Sequence, residues 1–186
     1  MTAPVERLAL VPILEAPEAL QMAILDIRNE PGVRANMYHS SEISAAEHRV
    51  WLAHLKKTPS TRYFLVLEGD ELLGGLSFSN ISRRHRRADW AFFLKAAARG
   101  RGLGRALEMR ALDHAFAALD LHKLNCEVIS WNEAVIALHD SFGFVEEGRR
   151  RAHVRRDGAY FDVHLLGITA GEWAASRALL QSRMTS

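Results

Sequence analysis

One cysteine in 186 residues has no partner within the chain. This excludes an intrachain disulfide framework and a cysteine-based zinc cluster, and Cys126, inside the apolar run Leu124 to Ser130, reads as a small buried hydrophobe. No apolar run is long enough to cross a bilayer. The leading MTAPVERLAL also lacks a basic stretch followed by an apolar one, so the expectation is a cytoplasmic protein with no membrane partner. Excess charge is scarce too: 24 Lys and Arg against 22 Asp and Glu leave a formal +2. Anion affinity must therefore come from local clusters, and no nucleic-acid partner is predicted. Internal repeats, low-complexity tracts and linker-like stretches are missing, and the histidines show no metal-ligand spacing on one face, so no metal is predicted. What is present is ordinary: 48% hydrophobic residues, enough for a sizeable core in one domain spanning residues 1–186.

In chain order, residues 7–13 read as a first strand, and Pro17 to Arg28 as an amphipathic helix with Leu20, Ala23, Ile24 and Ile27 on one face. Asn29 to Ser41 reads as a loop around Pro31-Gly32, free to line a cleft with Met37-Tyr38-His39. Ser44-Ala45-Ala46-Glu47 is a capping box opening a second helix, with His48, Trp51, Leu52 and Leu55 on one face, that stops by Pro59. The period then turns strand-like. Residues 62–68 and 71–79 form a hairpin about Gly69-Asp70, and residues 88–94 form the next strand. Leu124 to Ser130 is a further strand, followed by a short helix from Asn132, a good N-cap, to Ser141. A hairpin about Asp157-Gly158 and a C-terminal helix or tail complete one α/β domain with a mixed, mostly antiparallel sheet.

The chain is organised around Arg99-Gly100-Arg101-Gly102-Leu103-Gly104-Arg105, between a strand and a helical segment from Ala106 to Leu119. Strand, glycine turn and helix in this order aim several backbone N–H groups and the positive end of a helix at one point, an anion site. A plain strand-to-helix connection is the alternative. The interleaved arginines favour a polyphosphate ligand. The run Arg83-Arg84-His85-Arg86-Arg87 and the arginines at 149–151 and 155–156 read as solvated basic surface, with steering of an anionic ligand as the second reading.

Over residues 62–168 the motifs together resemble the GNAT family of N-acetyltransferases, which move an acetyl group from acetyl-CoA to an amine. Arg99, Gly102 and Gly104 match the family's Arg/Gln-x-x-Gly-x-Gly/Ala signature. Asn132, Ile136, Leu138 and the closing Phe142-Gly143-Phe144 match a second motif, and Asp157 to Asp162 a third. The resemblance implies a single mixed sheet splayed between its fourth and fifth strands and flanked by helices, with acetyl-CoA as co-substrate. It places the coenzyme diphosphate on Arg99, Gly100, Arg101, Gly102, Leu103, Gly104 and Arg105, and the pantetheine arm along Phe92, Phe93 and Leu94. Asn132 and Phe142 complete that site, and the Phe92 N–H polarises the thioester.

The resemblance further suggests Glu127 as the base that takes the amine proton through water; the alternative is a strand glutamate facing solvent or pairing with an arginine. An inward-pointing, partly desolvated Glu127 would have a raised pKa. Where most family members carry a tyrosine near the sulfur, this sequence has His139, which either donates to the departing thiolate or merely packs.

The N-terminal half is similar to the N-acetyltransferases of the pseudaminic-acid pathway, which act on a UDP-linked 4-amino-4,6-dideoxy-sugar for flagellin glycosylation. The matching pieces are Ile27-Arg28-Asn29, Met37-Tyr38, Ile43-Ser44 with His48, residues 63–66 and residues 146–149. By this resemblance Arg28, Tyr38, His48, Ser79, Asn80 and Trp90 line the side that takes a nucleotide-linked amino sugar; the alternatives are that Arg28 only satisfies carbonyls at its helix end, that His48 is a half-buried helix residue and that Trp90 is core. The alternatives are a ribosomal-protein N-terminal or polyamine acetyltransferase, and a non-catalytic CoA-binding regulator. A homodimer is compatible with the sequence, which leaves the assembly open.

Overall fold

The structure, a computed structural model, describes residues 7–185; the segment 1–6, read above for a leader, lies outside them. Contacts divide the chain into two compact units, Met1–Ile81 with Trp90–Arg110 and Ser82–Asp89 with Ala111–Ser186. Seven strands are ordered β1-β2-β3-β4-β5-β7-β6, and the chain changes unit inside β4 and again inside helix α4.

In the first unit β1 (Leu8–Pro12) pairs antiparallel with β2 (Arg62–Glu68), and β2 with β3 (Glu71–Ser82) across a turn in which Gly69 has φ +59°. β4 (Arg87–Leu94) follows β3, and its Phe93 carbonyl lies only 2.0 Å from where a Cβ on Gly74 would stand. Any side chain at 74 would force the two strands apart. Helix α1 (Glu18–Asn29) starts behind Pro17, whose ring presets the backbone angle at the N-cap. The loop expected over Asn29 to Ser41 opens with a short helix α2 (Pro31–Arg34) and is irregular after it. Pro31 occupies its first turn, where a missing N–H costs nothing, and the Glu30 carbonyl accepts from Val33 and Arg34.

Helix α3 (Ala45–Leu55) carries the expected capping box: Glu47 N–H donates to Ser44 Oγ and Ser44 N–H to the Glu47 carboxylate at 2.8 Å. The Ser44 hydroxyl also donates to that carboxylate at 2.7 Å, and this bond first, then the one from the Ser44 N–H, holds the Glu47 carboxyl below its usual range. Ile13, Ile24, Ile27, Leu52, Leu55, Leu65 and Leu67 form this unit's core, with Trp51, Tyr63 and Phe93 packed against it. Each fully buried aliphatic side chain stabilises by about 1.5–3 kcal/mol.

In the second unit the first residues of β4 pair parallel with β5 (Lys123–Ile129) through three registered pairs, Arg87↔Lys123 to Asp89↔Asn125. β5 pairs antiparallel with β7 (Ala159–Thr169), and β7 with β6 (Val145–Arg156), whose connecting turn puts Asp157 at φ +50° and Gly158 at +85°. β6 loses register between Arg150 and Val154, where Ala152 takes φ +49° and its N–H is caught by Asp162 at 2.8 Å.

Helix α4 (Leu103–Asp113) continues as a π-helical turn, His114–Ala118, in place of the regular helix expected to Leu119. Helix α5 (Glu133–Phe142) ends on Gly143 at φ +96°, with N–H groups of Gly143 and Phe144 returning to Asp140 and His139 carbonyls. The C-terminal segment is a helix, α6 (Ala170–Thr185). A second capping box starts it, Thr169 with Glu172, and Asp113 holds it through Trp173 Nε1 at 3.1 Å and a two-bond pair with Arg177. Cys126 is buried, as expected.

Candidate active site

The glycine turn has the conformation an anion cradle needs. Gly100 and Gly102 sit at φ +73° and +74°, and α4 begins at Leu103. Alternating left-handed residues turn successive N–H groups to one side, and the first-turn donors of an eleven-residue helix have no intrahelical partner. A Cβ on either glycine would meet nothing within 4 Å, so backbone conformation, not crowding, demands glycine there and leaves room over the turn. These residues fit a diphosphate. The signature arginine and the one between the first two glycines, however, are engaged by the protein: Arg99 Nη2 donates to the Gly32 carbonyl at 3.0 Å, and Arg101 Nη2 to Glu68 Oε2 at 2.7 Å. Their guanidinium groups brace the turn, correcting the simple picture of charges aimed at the ligand.

Along β4, Phe92 stacks on Trp90 at 5.4 Å and Phe93 packs into the first unit's core; Leu94 is half-buried. In the second unit Asn132 stands at the N-cap of α5, but its side chain makes no cap bond, because its φ/ψ of −88°/54° is not the extended geometry of a capping residue. Phe142 is 1% exposed and stacked on Trp173, so it is a core residue rather than a coenzyme contact.

Glu127 does not point inward. It is exposed on β5 and accepts from Arg150 Nη1 at 2.5 Å, the arginine pairing weighed above as its alternative. His139 is buried in α5 with its ring tilted against Phe144, 4.9 Å between centroids.

The residues assigned to the acceptor separate into two groups. Arg28 and Tyr38 belong to the corner after α1: Arg28 Nη2 donates to the His39 carbonyl at 3.1 Å, and Tyr38 is exposed. Burial pulls the Arg28 pKa down and pushes the Tyr63 phenol up; the two act on each other electrostatically. His48 is instead buried, its Nε2 2.7 Å from the Gln21 carbonyl and its ring against Trp51, so it ties α3 to α1. Trp90 is 3% exposed and belongs to the interior. Ser79 and Asn80 lie near the end of β3, Ser79 half-buried and Asn80 exposed at φ +51°.

Residues that the sequence did not place in the site are Glu30, Gly32 and Glu68, which hold the glycine turn, and Asn29 and Arg34, which hold the loop that follows α2. Gly32 was legible only as part of the Pro31-Gly32 turn and Asn29 only as part of Ile27-Arg28-Asn29; Glu30, Arg34 and Glu68 carried no pattern of their own.

Among the described residues no cluster of His, Cys, Asp and Glu can hold a metal ion, and no helix is long and apolar enough to cross a membrane. A cleft of about 550 Å³ in the second unit is lined by Glu133, Asp140, Glu146, Arg149 and His164, none of them a predicted site residue.

Residues 21–165 match the family profile described as an acetyltransferase (GNAT) domain. The chain is 29% identical over 120 residues to the spermidine N(1)-acetyltransferase of Vibrio cholerae, covering 64% of this chain and 69% of that protein. It is 31% identical over 131 residues to the phosphinothricin N-acetyltransferase of Streptomyces coelicolor, covering 68% and 76%. Among solved structures, the spermidine N-acetyltransferase of Vibrio cholerae in complex with CoA and spermine superposes with a TM-score of 0.82 at 25% identity, covering 91% of this chain and 99% of that one. With its mixed sheet, parallel β4–β5 pairs and glycine turn opening α4, the chain belongs to the GNAT family and is an acetyl-CoA-dependent N-acetyltransferase.

Proposed function

We propose that this enzyme acetylates a primary amine of a spermidine-like polyamine. The observation that carries the reading is the similarity to spermidine N-acetyltransferase in both sequence and fold, the latter over nearly the whole of that chain. The sugar-nucleotide acceptor draws less support, since His48 and Trp90, two of the residues meant to line it, are packed inside. The corner carrying Arg28 and Tyr38 does not favour an anionic acceptor over a polyamine, since the half-buried Arg28 donates its Nη2 to the His39 carbonyl and Tyr38 is the exposed side chain there.

The reaction needs a neutral amine, a carbonyl held beside it and a proton for the thiolate. The backbone donors of residues 100–105 take the coenzyme diphosphate. Glu127 takes the amine proton through water as nitrogen attacks the thioester carbon. The C–S bond then breaks, and His139 returns a proton to sulfur. Holding both partners in line supplies several kcal/mol of the rate enhancement.

Thiol release from acetyl-CoA, measured with spermidine, spermine, a UDP-4-amino-sugar and N-terminal peptides, tests the reading. Spermidine should be preferred by about a hundredfold in kcat/KM, within the range by which differential transition-state binding separates substrates. A preference for the UDP-sugar refutes it. CoA binding with no turnover of any amine would instead mark a non-catalytic CoA-binding regulator.

A further inference from the structure

The corner between α1 and α3, residues 28–44, lies outside the acetyl-transfer signature but is built as one body. Asn29 closes a ring with Ile43: its Nδ2 donates to the Ile43 carbonyl at 2.8 Å, and the Ile43 N–H returns to its Oδ1 at 2.9 Å. Arg34 Nε donates to the Asn29 carbonyl at 2.9 Å and its Nη1 to the Ser40 carbonyl at 3.0 Å, while Arg28 holds the His39 carbonyl. These bonds grip backbone groups, so they fix the path of the chain. The loop expected to be free is strapped at residues 39, 40 and 43.

Two more bonds join this body to the coenzyme turn. Glu30 Oε2 accepts from Ala96 N–H at 2.7 Å, the first donor of the 3-10 turn Ala96–Ala98 that leads into the glycines. A carboxylate accepting from a backbone N–H makes a hydrogen bond roughly twice as strong as a neutral one. The second is the Arg99 guanidinium on the Gly32 carbonyl. Gly32 gives the guanidinium room: a Cβ there would stand 3.1 Å and 3.2 Å from Arg99 Nη1 and Nη2, close enough that the arginine would have to shift by a few tenths of an ångström. The rest of the turn is tied elsewhere, Lys95 to Glu71 and Arg101 to Glu68, each at 2.7 Å. Residues 95–101 are thus a small hub with arms to β2, β3 and the corner.

We propose that Glu30 and Arg99 are positioning residues that couple the coenzyme turn to the corner bearing Arg28 and Tyr38. Acetyl-CoA docking on residues 100–105 steadies Ala96 and Arg99, and through them the corner where the acceptor is received. Coupling of this kind is reciprocal, so acceptor on the corner tightens the coenzyme by the same factor. The acceptor half of the inference rests on the proposed function; the coenzyme half does not.

Hydrogen exchange on the full chain, with and without saturating CoA, separates them. In the wild type CoA should slow exchange of the amides in residues 29–43 by about threefold or more. Glu30→Gln, which keeps an acceptor oxygen, should retain most of that protection. Glu30→Ala should lose it while calorimetry shows CoA still bound with a dissociation constant within about threefold of wild type, and the acceptor KM should rise about tenfold at little cost to kcat. Undiminished protection of 29–43 in Glu30→Ala overturns the coupling, and loss of CoA binding in Arg99→Ala makes that residue a ligand of the coenzyme instead. Should no amine be turned over, the polyamine reading falls and the exchange result still decides the coupling.

Discussion

Glu127 on β5 and Arg150 on β6 are joined by a 2.5 Å ion pair that reaches across the intervening strand β7. Their side chains are 37% and 42% exposed, so the pair itself contributes about 0–1 kcal/mol. Its value is one of place. Glu127 stands opposite Leu165 and Arg150 opposite Val163, two residues apart on β7 and therefore on the same face of the sheet. If Glu127 accepts the amine proton, Glu127→Gln should lower kcat about a hundredfold with acetyl-CoA affinity intact. Arg150→Ala should then change the wild-type rate but add nothing in the Glu127→Gln background. Full turnover by Glu127→Gln would leave the carboxylate with only its ion pair.

His139 offers a separate test, because it is buried and its ring packs on Phe144. His139→Phe keeps an aromatic ring against Phe144 while removing both ring nitrogens, and thermal unfolding of the variant checks that the larger ring is accommodated. Acetyl-CoA should bind as before, and kcat should fall by about a hundredfold or more, the lower end of what a positioned acid supplies. A rate unchanged between pH 6 and pH 9 would assign the histidine to packing alone.

The elements that sequence reasoning located best were those whose signals are local. The Ser44–Glu47 box, the Gly69 turn and the Asp157-Gly158 turn each depend on neighbours a few residues away, and each is present. Thr169-Ala170-Gly171-Glu172 carried the same capping pattern, and reading it would have made α6 a helix rather than a helix or tail. His48 shows a different limit. It shares a helical face with Leu52 and Leu55, so its burial was legible, but its partner, the Gln21 carbonyl, lies 27 residues away and no spacing rule points to it. The bonds from Glu30 and Arg99 span 66 and 67 residues, and only the folded chain brings them together.

Gly102→Glu tests the coenzyme turn. At φ +74° a side chain is strained even where space is open, and a carboxylate there faces the diphosphate. Affinity for acetyl-CoA by calorimetry should drop by more than about a hundredfold. Gly158, at φ +85° in the β6–β7 turn, supplies the control: Gly158→Ala carries comparable backbone strain without the charge and should leave coenzyme affinity unchanged. Equal binding by Gly102→Glu and wild type would remove the diphosphate from this turn.

Acid sensitivity of the second unit should trace to Glu146. Its carboxyl is held below the usual range, first by a hydrogen bond from His164 Nδ1 at 2.7 Å and then by Arg149. Because the folded state favours the ionised form, the stabilisation is fully present above the ordinary carboxylate pKa near 4.5 and is lost as pH falls through the depressed value. Glu146→Gln cannot ionise, so its melting temperature should lie below wild type by a constant margin from pH 7 to pH 5. The margin should close by pH 3, where the wild-type carboxyl is protonated too. Glu146 is solvent-facing, so 1 M salt should shrink the margin at neutral pH. A gap of constant size down to pH 3 would mean that the glutamate stabilises by shape and not by charge.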